Sequence, residues 1–579
     1  MKLRTRRSTS PLDRSSPLDR SAPPDRAAPP DHADPSDRTA PHDRAAPIPL
    51  PTRRPRTTAT RRRAAGAALT AAALAAPLLL AGAGSAAADP DPARRGARLA
   101  ARLVAAGDAE EAHDTLAALQ RIADRNGGTR VAGSKGHDQS AQYVYEQARR
   151  AGLKVSKQEF EYTFFDALSQ RLDVVSPKAE PVPVVAMTYS VSGPEAGLTA
   201  ELAAAPVGAA TGCAATDYPA GAFTGRIALI RRGGCSFAQK QAAAGAAGAA
   251  GAIIYNNTDG DLNGTLGDPT AGKVPTGGIT KAAGEALAAE AAAGPVRVTL
   301  DIRTRMEPRK TWNVLAETRG GDPADTVMVG AHLDSVPAGP GINDNGSGSA
   351  GILEVARHLG THPVKNKVRF AWWSAEEFGL KGSEAYVNSL SETDRKNIRL
   401  YLNFDMIASP NYAQFVYDGS GSTGGGAGPE GSAQIERDIT GYLDGRGLPH
   451  DLSAFNGRSD YGPFIDAGIP AGGTDTGAEV IKSPEQAARY GGTAGTAFDA
   501  CYHKACDDLG NIDMAAFDVN IDVIAHAVGT YAWDLSSLQR PVPAQPPARK
   551  APAAAGASGS GTGGASSTGA DGHAHGVTA

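Results

Sequence analysis

The sequence predicts an α/β fold: a mostly parallel central sheet flanked by helices, interrupted by a β-rich inserted domain. Three observations carry this. Short apolar runs alternate with amphipathic stretches over roughly 108–170 and 305–537, the pattern of strands and covering helices. The alternation stops over 175–304, where glycine and alanine crowd the chain. The two ends, 1–88 and 541–579, have no pattern of a packed core.

Taken in order, residues 11–46 repeat a hexad six times (PLDRSS, PLDRSA, PPDRAA, PPDHAD, PSDRTA, PHDRAA). Proline at every sixth position and scarce apolar residues predict disorder over 1–52, unless translation starts downstream of it. RRPRTTATRRR and the apolar AAGAALTAAALAAPLLLAGAG follow, then SAAAD. These read as a signal peptide over 53–88, cleaved after Ala88. The protein is therefore expected to be secreted and extracellular, with no membrane association after cleavage. The cysteines form two close pairs, Cys213 with Cys235 and Cys501 with Cys506, as expected of disulfides in an oxidising compartment.

Helices are predicted over 110–126 and 137–151, the second stopped by Gly152, and a strand over 154–165. After the insertion come strands over 311–318, 327–335, 367–374 and 398–407, with helices over 349–359, 382–390 and 515–535. Within the insertion, a Cys213–Cys235 bond would staple the strand in GRIALIRRGGC, and nothing there has a catalytic pattern. The tail over 541–579, Pro/Ala-rich and then Gly/Ser-rich, predicts disorder. A net charge of -4, with no dense Lys/Arg block after residue 63, argues against a nucleic-acid partner.

Chemistry-bearing residues gather just past the predicted strand ends. His332 follows VMVGA, and Asp344 lies twelve residues on in GINDNGSG. Glu376 and Glu377 follow VRFAWWSA, Asp405 ends LYLNFD, and His503 lies far downstream in CYHKAC. Ligands of open α/β sheets bind at the carboxyl ends of strands, so these residues are expected to converge. Two imidazoles with carboxylates suit zinc. Asp334 is placed to accept the second ring N–H of His332. A Cys501–Cys506 bond would close a tight loop that aims His503.

HLDS, GINDNGSG, WWSAEEFGLKGS, NFDMIASPN, GRSDYGPF and CYHKAC, in this order, resemble the blocks of the two-zinc bacterial leucyl aminopeptidases, which are secreted metallopeptidases of zinc-exopeptidase fold. The insertion resembles a protease-associated domain. The resemblance implies two zinc ions bridged by Asp344, with Glu377 and His503 completing one site and His332 and Asp405 the other. It implies Glu376 as the general base acting on a metal-bridged water, Tyr502 as hydrogen-bond donor to the tetrahedral oxyanion, and a cis peptide at Asp344–Asn345. The implied substrates are peptide or protein N-termini, and the chain is expected to act as a monomer.

Two regions depart from the family pattern. In GIPAGGTDTGAE, Asp475 stands where leucine-preferring relatives carry an aromatic residue. It reads either as a turn cap or as a pocket carboxylate selecting Lys or Arg, with Arg458 of GRSDYGPF a pocket residue and a candidate partner for it. Asp518 and Asp522 match half of a calcium site found in some relatives, with Asp108 a candidate for the other half, or form a solvated acidic pair on a helix. The rival readings are a carboxypeptidase or glutaminyl cyclase of the same fold, and a non-catalytic binding protein using the insertion. The filled ligand positions favour the aminopeptidase.

Overall fold

The structure, a computed structural model, describes residues 91–208 and 212–542. The hexad repeats, the signal segment and all but two residues of the 541–579 tail lie outside the described residues.

A mixed sheet runs through the fold. At its centre, Asp322–His332 lies parallel to Asn366–Trp373 on one side and to Ile398–Phe404 on the other. Ala471–Asp475 extends the sheet in parallel beyond Ile398–Phe404. Buried valines, alanines and aromatics fill these strands, because helices cover both faces and leave no polar side. The sheet is not parallel throughout: Arg297–Glu317 joins Asn366–Trp373 antiparallel, as does Phe415–Tyr417 with Ala471–Asp475.

All four central strands therefore end at the same edge. His332 pairs across with Trp373, and Phe404 with Thr474. Crossovers between parallel strands force that alignment, and it sets the positions of the predicted ligands.

The helices begin and end near their predicted limits, at Ala109–Arg125, Lys135–Arg150, Gly348–Leu359, Lys381–Ser389 and Met514–Tyr531. A further helix, Pro92–Ala106, capped by the Asp91 carboxylate, has no counterpart among the predicted elements. It buries Leu99 and Leu103 in the main core and lies close against the last helix: a Cβ on Gly96 would sit 2.9 Å from the Thr530 carbonyl oxygen.

The insertion hangs on a ribbon. Lys154–Ser176 and Arg297–Glu317 pair antiparallel from Lys154↔Glu317 to Ser176↔Arg297, so both are much longer than the strands predicted from sequence. Beyond the ribbon, Ile227–Arg231, Gly251–Tyr255 and Thr276–Ile279 form a parallel sheet. Two helices, Phe237–Ala246 and Lys281–Ala293, pack on it, so the alanine-rich stretch expected as β structure is partly helical. Cys213 and Cys235 are disulfide-bonded with their Cα atoms 5.9 Å apart.

Candidate metal centre

The six residues singled out past the strand ends meet in one place. Asp344 lies between two histidines: its Oδ1 is 3.2 Å from His332 Nε2 and its Oδ2 is 3.2 Å from His503 Nε2. Glu377 Oε2 is 3.1 Å from His503 Nε2, and Asp405 Oδ1 is 3.3 Å from His332 Nε2. Glu376 stands back, with Oε2 4.0 Å from His332 Nε2. The set thus divides into two halves sharing one carboxylate.

Local backbone geometry builds this arrangement. Ala375, Met406 and His503 have positive φ (59°, 52° and 57°), and each is, or adjoins, one of the six residues gathered here. Non-glycine residues there are strained and are held by their surroundings. Gly341 turns the chain before Asp344 with φ 64°, and the Asp344–Asn345 peptide is cis. Cys501 and Cys506 are disulfide-bonded around His503.

Several supporting residues escaped the sequence analysis. Asp507 accepts the backbone N–H groups of Asn343 (2.8 Å) and Asp344 (3.0 Å). Arg130, fully buried, donates to the Leu333, Pro340 and Gly341 carbonyls, so one guanidinium gathers the loop between His332 and Asp344. Burial pushes its pKa down to about 10, against the pull of Asp334, Asp507 and Asp344. Ser459 Oγ donates to Asp405 Oδ2 at 2.5 Å. Asp334 Oδ1 lies 3.7 Å from His332 Nδ1, beyond hydrogen-bond length, and accepts the Glu376 backbone N–H at 3.2 Å instead.

Burial drives the electrostatics. It opposes ionisation of Asp344, but the hydrogen bonds and charges of His332 and His503 outweigh it and hold that carboxyl well below the usual range. Burial pushes Glu376 well above the usual range, with Asp460 and Asp405 adding repulsion, while His332 pulls the other way. Glu377 Oε1, Asp405 Oδ1 and His332 Nδ1 are buried without a hydrogen-bond partner. So many acids and orphaned polar atoms in one enclosure fit metal cations, and hard carboxylates mixed with imidazoles fit zinc.

The other predicted residues are placed as follows. The Tyr502 ring stacks on His503 at 3.8 Å, and its hydroxyl accepts from Arg458 Nη2 at 3.3 Å. Arg458 does not pair with Asp475; its Nη1 is 3.0 Å from Glu479 Oε1, a partner the sequence analysis missed. Asp475 lines the same cavity, of about 340 Å³, as the metal-centre residues. Asp522, almost fully buried, lies 3.0 Å from Arg446, and Asp108 caps a helix by accepting the Glu110 N–H at 2.8 Å. Among the described residues, a second His/Glu group, Glu111, Glu354 and His358, lies outside this centre. There His358 (2.7 Å) and Arg357 (3.5 Å) already engage Glu354.

Histidines and carboxylates gathered at the carboxyl ends of strands in a helix-covered sheet make the layout of a metal-dependent hydrolase. Comparison with known proteins sharpens this. Residues 313–528 match peptidase family M28 and residues 198–287 match the PA domain. The chain is similar to leucine aminopeptidase 2 of Trichophyton rubrum, at 47% identity over 70% of this chain and 80% of that protein. It is equally similar to the probable leucine aminopeptidase 2 of Aspergillus fumigatus, at 47% identity over 71% of this chain and 80% of that one. The chain belongs to peptidase family M28, with a PA domain inserted in it.

Bacterial relatives appear among solved structures. The aminopeptidase of Aneurinibacillus sp. strain AM-1 superposes with a TM-score of 0.60 at 30% identity, over 74% of this chain and 95% of that one. BSAP, a zinc aminopeptidase from Bacillus subtilis, gives 0.54 at 28% identity, over 73% and 94%. The family and fold expected from the sequence motifs are therefore those found, with fungal as well as bacterial relatives.

Proposed function

We propose that the protein is an exported two-zinc aminopeptidase that removes residues from the N-termini of peptides. The observation that carries this reading is Asp344, whose two oxygens each lie 3.2 Å from a different histidine, as a carboxylate shared by two cations would. His503 and Glu377 would hold one zinc, and His332 and Asp405 the other. The ions would supply Lewis acidity to the scissile carbonyl and acidify a bound water.

The chain's own residues do the rest. Glu376, set back from both histidines, is free to take a proton from water and deliver it to the departing amine. Burial has raised its proton affinity toward that task. The Tyr502 hydroxyl, oriented by Arg458, donates to the oxygen that gains charge. The relatives named leucine aminopeptidase support an exopeptidase rather than a cyclase or carboxypeptidase. Two disulfides support an oxidising compartment, in keeping with the signal segment.

The test follows nitroaniline release from leucyl and N-acetyl-leucyl p-nitroanilides, with bound zinc counted on the same sample. Chelator-sensitive release from the free-amine substrate alone, with two zincs per chain, is the expected result. Equal release from the acetylated substrate, or none from either by zinc-loaded protein, would overturn the reading.

A further inference from the structure

Asp475 ends the Ala471–Asp475 strand at the sheet edge that carries the metal centre, and it lines the same cavity. Its Oδ1 accepts the Gly477 backbone N–H at 3.1 Å, and the Ser453 side chain lies beside the carboxylate. Its Oδ2 is shut away from solvent and has no hydrogen-bond partner. A turn cap would account for Oδ1 but not for a second oxygen left bare. The nearest candidate counter-ion is already engaged: Arg458 is held by Glu479 at 3.0 Å and by the Tyr502 hydroxyl.

The rest of the wall suits a long side chain. Phe415 and Phe498 meet edge to face with ring centres 5.4 Å apart, and Tyr417 lies beside them in the lining. Aromatic faces take the aliphatic stem of a lysine or arginine, while a carboxylate takes the charged head. A leucine in this cavity would complete the desolvation of Asp475 and offer it nothing in return. A site built to pair with a polar group discriminates strongly against an analogue that lacks it.

We infer that Asp475 makes this pocket selective for substrates with a cationic N-terminal side chain, lysine or arginine. The inference rests on the aminopeptidase reading and specifies its substrate class.

The experiment compares lysyl and norleucyl p-nitroanilides, which share a four-carbon stem and differ chiefly in the ammonium group. The wild-type protein is expected to favour the lysyl substrate at least tenfold in kcat/KM, and Asp475→Asn to bring that ratio near unity. A wild-type ratio at or below unity overturns the inference whatever the variant does. A high ratio that survives in folded Asp475→Asn also overturns it. Should the variant not fold, the wild-type ratio decides, seconded by competition between L-lysinamide and L-norleucinamide, in which tighter binding of lysinamide is expected and equal binding overturns. Release from both substrates without discrimination leaves the aminopeptidase reading standing; release from neither removes that reading as well.

Discussion

The hydroxyl of Tyr189, in the inserted domain, donates a hydrogen bond to the carbonyl of Phe378 at 3.2 Å. Phe378 directly follows Glu377, and its ring packs against Tyr162 (5.3 Å) and Phe164 (5.2 Å) of the ribbon. The insertion thus touches the turn that carries both glutamates. Tyr189→Phe removes a bond worth about 1 kcal/mol. We expect roughly fivefold lower kcat, little change in KM and unaltered zinc content. An unchanged kcat would show that the turn holds itself.

Glu376→Gln keeps shape and polarity but cannot accept a proton. Turnover should fall by roughly 10²–10⁴, with both zincs retained in metal analysis. Loss of a zinc instead would make Glu376 a ligand and exchange the roles given to the two glutamates.

Arg130→Met removes the donor to three interior carbonyls, of which Gly341 still accepts the Gly346 N–H while those of Leu333 and Pro340 lose it. Each unsatisfied group costs about 1–3 kcal/mol. The variant should melt well below the wild type and bind zinc more weakly, because the loop between His332 and Asp344 is no longer gathered. A wild-type melting curve and zinc affinity would refute this role.

Asp475 also predicts a pH dependence. Burial pushes its pKa up to about 7, with Asp405 reinforcing the shift and the nearby Ser453 side chain, the Gly477 hydrogen bond and Arg458 opposing it. Tyr417 and Tyr461 also face it. Below that pH the carboxyl is mostly neutral, while a lysine side chain, with pKa near ~10.4, stays charged. The lysyl-to-norleucyl ratio should therefore climb as pH rises through about 7 and stay flat in Asp475→Asn. Linkage gives a second sign: a pKa raised on folding contributes stability that is complete below the unfolded value and lost as pH rises through about 7. Asp475→Asn should thus gain stability relative to the wild type as pH rises from about 4 to about 7, read from urea midpoints.

The candidate ligands were legible in the sequence because parallel strands share one edge. Once His332, Glu377 and Asp405 are recognised as following strand ends, the sheet brings them together without further information. Arg130 left no such trace: it serves carbonyls more than 200 residues away in sequence (203 to 211), and no local pattern marks a donor to distant backbone. The partner of Arg458 was equally hidden. Asp475 and Glu479 are four residues apart, and only the direction of the chain leaving the Ala471–Asp475 strand decides which one reaches the guanidinium. The Pro92–Ala106 helix was legible but missed: Leu99 and Leu103 mark one apolar face a turn apart, and Gly96 and Ala100 on that face meet the last helix.

The ribbon that carries the insertion has a consequence for how such a chain can change over evolutionary time. Its two strands leave the catalytic body side by side, with Lys154 opposite Glu317, and keep one register to Ala167 opposite Thr304, with irregularities between Ala167 and Ser169 and between Val174 and Ser176 beyond it. A chain cut on both strands past the Phe160–Thr311 rung, beyond the residues that pair with Asn366–Trp373, could be closed by a short hairpin without disturbing the sheet behind it. The insertion is in this sense a cassette, open to exchange or loss as a unit. A chain that lost it would keep every candidate metal-centre residue and part with the Tyr189 tether.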